Sequence, residues 1–274
     1  MDWRDEGILL SVMRHAEHNV IIGVLTRTHG RHAGLVRGGR SQKLAPTLQP
    51  GAQLALDWNA RLDEHLGVFR VEPITGRAAS LMGDRLALSA FNAMSALILA
   101  FVPEREPVPD LYDETLQLVE ALCARDDGWT VLYALWELRF LRSLGFGIDL
   151  TRCAATGVTV DLAYVSPRSG RAVSRSAGGP WADKMLPLPG FLTGTGKGTL
   201  GDAREALRMT GWFLEHWVCP GFERAALPDA RGRLIDLLER HVPLPAPDDT
   251  DDAETAPGTG PERQRGAHHK AARY

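Results

Sequence analysis

The first 77 residues hold five short runs of β-type residues, and no other feature of this 274-residue chain narrows its fold so far. GILLSVMR (7–14) and NVIIGVLTR (19–27) are apolar runs separated by a short polar turn. His29-Gly30 reads as a hairpin turn into RHAGLVRG (31–38), where alternation puts Ala33 and Leu35 on one face, with Arg37 at the strand's end. After a loop carrying Pro46 and Pro50, QLALDWNARL (53–62) places Leu54, Leu56 and Trp58 on one face. LGVFRVEPI (66–74) is the fifth run. Five strands in so short a length predict a small closed barrel, because closure removes unpaired edges. The OB-fold is the common five-stranded solution, and its open face binds single-stranded nucleic acid by cationic tracking and base stacking. Only Trp3, Trp58 and Phe69 are available for stacking, and for Trp58 packing in the core is the favoured role.

Beyond Arg77 the period becomes helical. LMGDRLALSAFNAMSALILAF (81–101) predicts one helix, apolar all round and therefore central. DLYDETLQLVEALCAR (110–125) predicts an amphipathic helix with Asp110 as N-cap. In WTVLYALWELRFLRSLGF (129–146), Trp129, Leu132, Tyr133, Trp136 and Phe140 form a core stripe, and Gly145 ends the helix. Residues 151–199 are rich in Gly, Ser, Pro and Arg with little helical pattern, and helix resumes at 201–218 and 229–242. From Pro243 onward the composition cannot bury enough apolar surface to order itself. The expected class is α+β: an OB domain at 1–77, an α-helical domain at 78–243, and a disordered tail at 244–274.

Totals bound the rest. The chain is 44% hydrophobic, enough for a core, and its net charge of −3 argues against a generally basic nucleic-acid coat. Three scattered cysteines give no disulfide framework and fit a reducing compartment. The charged start MDWRDEG does not open a secretory signal, and the apolar window 86–102 is short for a membrane span. A cytoplasmic protein is expected.

Function is best sought in RTHGRHAGLVRGGRSQK (27–43). It holds Arg27, Arg31, Arg37, Arg40 and Lys43 and no acid; the flanking carboxylates in sequence are Glu17 and Asp57. Gly30, Gly34, Gly38 and Gly39 would let a polyanion approach the backbone closely. Such a surface suits a phosphate backbone, whose binding is driven by counterion release. A solvated hairpin with ordinary surface arginines is the competing explanation. Arg168, Arg171, Arg175 and Lys184 form a second cationic cluster, either an extension of the same track or a flexible loop. GTGKGT (194–199) lacks the Ser or Thr that must follow a phosphate-loop Gly-Lys. The pairs His15/His18 and His29/His32 have ligand-like spacing, but both read as surface histidines in turns.

Cys153-Ala154-Ala155-Thr156-Gly157 and Ser166-Pro167-Arg168-Ser169-Gly170 are two X-x2-X-Gly knuckles. A zinc ribbon has Cys at all four outer positions; here only Cys153 is a thiol, and hydroxyls are poor zinc ligands. Two unrelated glycine turns would give the same pattern. Taken with WRDEGILLS (3–11), THGRHAGLVRGGR (28–40), LQPG (48–51), LGFGIDL (144–150) and LAYVSPRSGRAVS (162–174), the order of parts resembles the RecO family of bacterial recombination and repair mediators over residues 1–243.

That resemblance implies an N-terminal OB-fold, a helical C-terminal domain and, at about 151–180, a small zinc-ribbon-like insertion. Three of its four metal positions are lost here, so neither zinc nor any other cofactor is expected. It implies a non-enzymatic role: binding single- and double-stranded DNA, annealing complementary strands, working with RecR, and helping RecA replace SSB on gapped DNA, partly by holding SSB's acidic C-terminal tail. Nucleoid association follows. Arg139 and Arg142, towards the end of the third predicted helix, are candidates for that tail. The alternative is a nucleic-acid-processing enzyme, nuclease-like, which needs clustered carboxylates for Mg²⁺ beside the cationic stretch.

Overall fold

The computed structural model describes residues 1–62 and 64–241. Strands β1 (Asp2–His15), β2 (Asn19–Thr26), β3 (Arg31–Val36), β4 (Gln53–Asn59) and β5 (Val68–Thr75) close a barrel in the order β1-β2-β3-β5-β4. This is the five-stranded OB arrangement. All its pairings are antiparallel except β3 with β5, which meet in parallel at Leu35 and Val68. Leu9, Ile22, Val24, Leu54, Leu56, Trp58 and Phe69 fill the interior. Along β3 the inward residues are His32, Gly34 and Val36, while Ala33 and Leu35 share the outer face.

The continuous apolar runs of β1 and β2 have a structural cause. Leu9 points into the barrel, whereas Ile8, Leu10 and Leu25 join a second, larger core made by the helices. Strands covered on both faces lose their alternation.

That second core is built by α1 (Ala78–Met82), α2 (Arg85–Phe101), α3 (Pro109–Ala124) and α4 (Trp129–Ser143), with a three-stranded sheet and further helices after them. The single helix expected over 81–101 is two, because Asp84 takes an extended conformation and its carboxylate accepts hydrogen bonds from the Leu86 and Ala87 N–H groups. Asp110 is not the cap of α3: Pro109, whose fixed φ suits the first helical position, starts the helix, leaving Asp110 in the first turn. The aromatic stripe of α4 is core as expected, and Gly145 turns the chain at φ +85°. Between 151 and 187 the chain makes β6 (Leu162–Val165), β7 (Ala172–Ser174), the short α5 (Arg175–Gly178) and β8 (Leu186–Pro187), in sheet order β7-β6-β8. Helices α6 (Leu200–Phe213), α7 (Cys219–Gly221) and α8 (Asp229–Arg240) complete this part. Helix α6 opens on a capping box between Thr199 and Asp202 and passes through a wider π turn at 214–218 before Pro220. The expectation of disorder at 244–274 lies outside the described residues.

The barrel is fastened to the helices by the connection between α2 and α3. The Arg105 N–H donates to the Arg31 carbonyl at 2.8 Å, and a guanidinium N–H of Arg105 donates to the His65 carbonyl at 2.9 Å. Gly30 sits against the Glu106 backbone so tightly that a Cβ would lie 1.9 Å from the Glu106 carbonyl oxygen. Gly38 has nearly the same φ, +64° against +65°, but a Cβ there would meet nothing within 4 Å. The two form a matched pair. Gly38→Ala should cost only the left-handed strain of about 1–2 kcal/mol. Gly30→Ala adds a backbone clash and should exceed it by at least about 1 kcal/mol, read as the larger fall in urea midpoint at constant m.

Candidate nucleic-acid interface

The basic stretch Arg27–Lys43 does not stay together in space. Arg27 lies at the end of β2, where its guanidinium meets Asp113 of α3 at 2.8 Å. Arg31 begins β3; Nε donates to the Val102 carbonyl at 2.7 Å and Nη1 to Glu104 at 2.8 Å. Both serve the joint between barrel and helices. The stretch is acid-free in sequence but not in the fold.

Arg37, Arg40 and Lys43 lie past the other end of β3, in the turns before β4, and all three are exposed. Among the described residues none of them is paired with a carboxylate. Their segment is nonetheless held in place. The Arg40 N–H donates to the His18 carbonyl at 3.1 Å and Nη1 to the Glu17 carbonyl at 2.6 Å; the Gly38 N–H donates to the Asn19 side chain at 3.0 Å. The β1–β2 turn and the segment after β3 thus form one end of the barrel, and Arg14, exposed beside that turn, adds a fourth cation.

The glycines do not serve as expected. A Cβ on Gly34 would fall 2.4 Å from the Phe69 ring and one on Gly39 2.5 Å from Val20, so with Gly30 they admit the protein's own neighbours. Only Gly38 leaves open backbone. The aromatics are also engaged with one another. Trp3 stacks on His29 at 4.1 Å and lies 5.7 Å from Trp58 at a shallow angle, with Phe69 edge-on. The Trp3 ring is thus already engaged by its own neighbours. His32 is not a surface histidine: it is buried in this cluster, edge-on to Trp58 at 4.9 Å, because inward alternation on β3 carries it into the barrel. His29 Nδ1–H donates to the Asp5 carboxylate at 2.9 Å. The Asp5 carboxyl is lowered: burial raises it, but hydrogen bonds from the Thr28 hydroxyl, His29 and backbone N–H groups outweigh that.

Beside the cationic end a groove of about 760 Å³ crosses the outside of β1, β4 and β5, with Arg37 on its rim. Register places Arg4, Asp57 and Arg70 in one row across these strands, with Arg4 bonded to Asp57 at 3.5 Å. Among the described residues the Arg70 side chain has no hydrogen bond or ion pair. Sequence reasoning missed Arg4 and Arg70. The signal was present: Arg70 alternates with inward Phe69, and Arg4 belongs to β1 once that strand is begun at Asp2 instead of Gly7.

The second cluster is mostly paired. Arg171 meets Asp149 at 3.7 Å and Arg175 meets Asp161 at 3.2 Å, while Lys184 sits over the Trp181 ring at 5.3 Å and Arg168 is exposed. On α4, Arg139 pairs with Glu114 at 3.5 Å and Arg142 is exposed. The Glu114 carboxyl is raised, first by burial, with Arg139 opposing.

Both knuckle turns form. The Gly157 N–H returns to the Cys153 carbonyl and the Gly170 N–H to the Ser166 carbonyl, each at 2.9 Å, with φ of +76° and +63° at the two glycines. The buried Cys153 sulfur accepts from the Ser174 N–H at 3.3 Å and its hydroxyl at 3.4 Å. Burial raises this thiol, yet these bonds and those from Thr156 bring it down to about 6. Thr156 and Ser169 are exposed. Among the described residues no group of three or more His, Cys, Asp or Glu side chains is placed to hold a metal ion, and no helix is long and apolar enough to cross a membrane.

Comparison with known proteins agrees with this architecture. Residues 1–77 match the family model described as Recombination protein O N terminal, and residues 82–220 match Recombination protein O C terminal. The chain is 54% identical over 240 residues to the DNA repair protein RecO of Cereibacter sphaeroides, covering 88% of this chain and 99% of that one. It is 51% identical over 242 residues to the protein of the same name from Ruegeria sp., covering 88% and 100%. Identity to that of Dinoroseobacter shibae is 52% over 240 residues, covering 88% and 99%.

Proposed function

The chain belongs to the RecO family of DNA repair proteins, and from that premise we propose that it is a non-enzymatic mediator of recombination. It binds single- and double-stranded DNA through Arg37, Arg40 and Lys43 at the end of the barrel, anneals complementary strands, and with RecR helps RecA onto SSB-covered single strands. It acts in the cytoplasm, at the nucleoid. The observation that carries this reading is the barrel end where three exposed cations face solvent with no carboxylate paired to them among the described residues. Two polyanions repel, and a cationic surface held rigid by backbone hydrogen bonds lowers that repulsion. Arg142, exposed next to the Glu114–Arg139 pair, is the cation offered to the acidic SSB tail.

The test is an annealing assay with complementary labelled strands, bare and coated with SSB, with and without RecR. Faster annealing without nucleotide or divalent metal supports the reading. No acceleration would sink it, and Mg²⁺-dependent cleavage of the strands would favour the enzymatic alternative.

A further inference from the structure

A second recess, of about 650 Å³, opens where the barrel meets the helices. Its barrel wall is the first half of β1 and the end of β2, with Asp5, Glu6 and Arg27; its other wall is the start of α3, with Tyr112, Asp113 and Leu116. Most polar groups here already have partners. Asp5 takes the bonds from Thr28 and His29, Arg27 holds one Asp113 oxygen at 2.8 Å, and Gln53 Nε2 donates to one Glu6 oxygen at 3.1 Å. Tyr112 is the exception. Its side chain is 4% exposed, yet among the described residues its hydroxyl makes no hydrogen bond. Buried tyrosine hydroxyls ordinarily find a partner, so one that lines a recess without one points to a ligand that fills it.

Charge decides the sign of that ligand. Burial first, and then the carboxylates of Glu6, Asp5 and Asp113, push the Tyr112 hydroxyl up to about 12, with Arg77 opposing. The hydroxyl is thus a neutral group in negative surroundings, which favour a cation. The second carboxylate oxygens of Glu6 and Asp113 have no partner among the described residues. No group of three or more His, Cys, Asp or Glu is placed among those residues to hold a metal ion, so the cation is an organic one. Half-buried Leu116 and the Tyr112 ring give it an apolar wall, which suits the aliphatic stem of a long basic side chain. A guanidinium, with its planar fork of donors, can serve two carboxylates and a hydroxyl together; an ammonium is a point charge without that fork.

We infer that this recess takes an arginine side chain from a partner protein, its guanidinium on the free oxygens of Glu6 and Asp113 and on the Tyr112 hydroxyl, its stem along Leu116. The inference goes beyond the DNA-binding reading and does not rest on it. The occupant touches β1 and α3 at once, so it adds a contact across the joint that Arg27 already spans.

The experiment is an amide NMR titration of the isotope-labelled full chain with a capped Gly-Arg-Gly peptide and with the same peptide carrying citrulline, which keeps the shape of arginine and loses its charge. The arginine peptide should shift the Glu6, Gln53 and Asp113 signals saturably, with Kd on the order of 1 mM, and citrulline should bind about tenfold more weakly. Glu6→Gln, an exposed change, should weaken the arginine peptide by about tenfold, and Tyr112→Phe, which removes only the hydroxyl, by about fivefold. Lys43→Ala, at the far end of β3, should leave it unchanged. Thermal melts check that the variants fold; if Tyr112→Phe does not, Glu6→Gln and the citrulline contrast carry the test. Equal binding of citrulline, no effect of Glu6→Gln, or no saturation by about 20 mM peptide would overturn the inference. So would inorganic phosphate shifting the same signals and displacing the peptide, which would assign the recess to an anion held by Arg4 and Arg27.

Discussion

Arg37→Glu combined with Arg40→Glu should lower single-strand affinity by on the order of a hundredfold near 50 mM salt, and flatten the log–log salt slope by about 1.4. Each single-strand phosphate contact contributes about 0.7 to that slope. Extrapolated from about 1 M to about 50 mM salt, one contact is then worth nearly tenfold in affinity, and two nearly a hundredfold. The fold should survive, since both side chains are exposed and Arg40 contributes only a surface hydrogen bond to Glu17. Arg27→Glu with Arg31→Glu is the informative contrast. Those guanidiniums already face Asp113 and Glu104, so few condensed counterions are theirs to release. Their reversal should leave the slope nearly unchanged while loosening the joint between barrel and helices. Equal slope changes for the two pairs would mean that the whole stretch from Arg27 to Lys43 acts as one surface after all.

How far the sequence shows this follows from the distance over which each interaction reaches. Barrel strands are set by alternation within a few residues, so Leu54, Leu56 and Trp58 could be assigned to the interior directly. The helical stripe of Trp129, Tyr133, Trp136 and Phe140 is equally local. Division of the basic stretch is not local. Asp113 lies 86 residues after Arg27 and Glu104 lies 73 after Arg31, and nothing near either arginine indicates that acid. The glycines illustrate the same limit. Gly30, Gly34 and Gly39 are small because Glu106, Phe69 and Val20 approach them, contacts that exist only once the barrel has closed and docked. A glycine-rich segment therefore looks open in sequence whether its space is left for a ligand or filled by the chain. The groove was hidden for a further reason: Arg4, Asp57 and Arg70 come from three strands, and only cross-strand register puts them in one row.

Glu137→Gln should be the most destabilising conservative change in the helical part, at about 3–5 kcal/mol, with a melting temperature lowered by on the order of 10 °C. Glu137 is fully buried within the aromatic face of α4, and Arg231 of α8 is 6% exposed. The guanidinium donates to both carboxylate oxygens, Nε at 2.8 Å and Nη2 at 2.9 Å, and Nη2 also donates to the Leu207 carbonyl at 2.7 Å. The Thr210 hydroxyl of α6 donates to the same carboxylate at 2.5 Å. Three helices thus share one buried charge pair, whose net worth is small but whose halves are costly alone. The glutamine keeps the shape and removes the charge, leaving a buried cation unpaired. Glu137→Leu with Arg231→Met should recover most of the loss, because it removes both desolvation costs together. Melts of Glu137→Leu, Arg231→Met and the double variant give the coupling. The barrel end lies outside this network, so Glu137→Gln should keep the salt slope of the wild-type chain at temperatures below its own transition. A slope that changed with the melt would place the helical core, not the barrel alone, in control of how the DNA surface is presented.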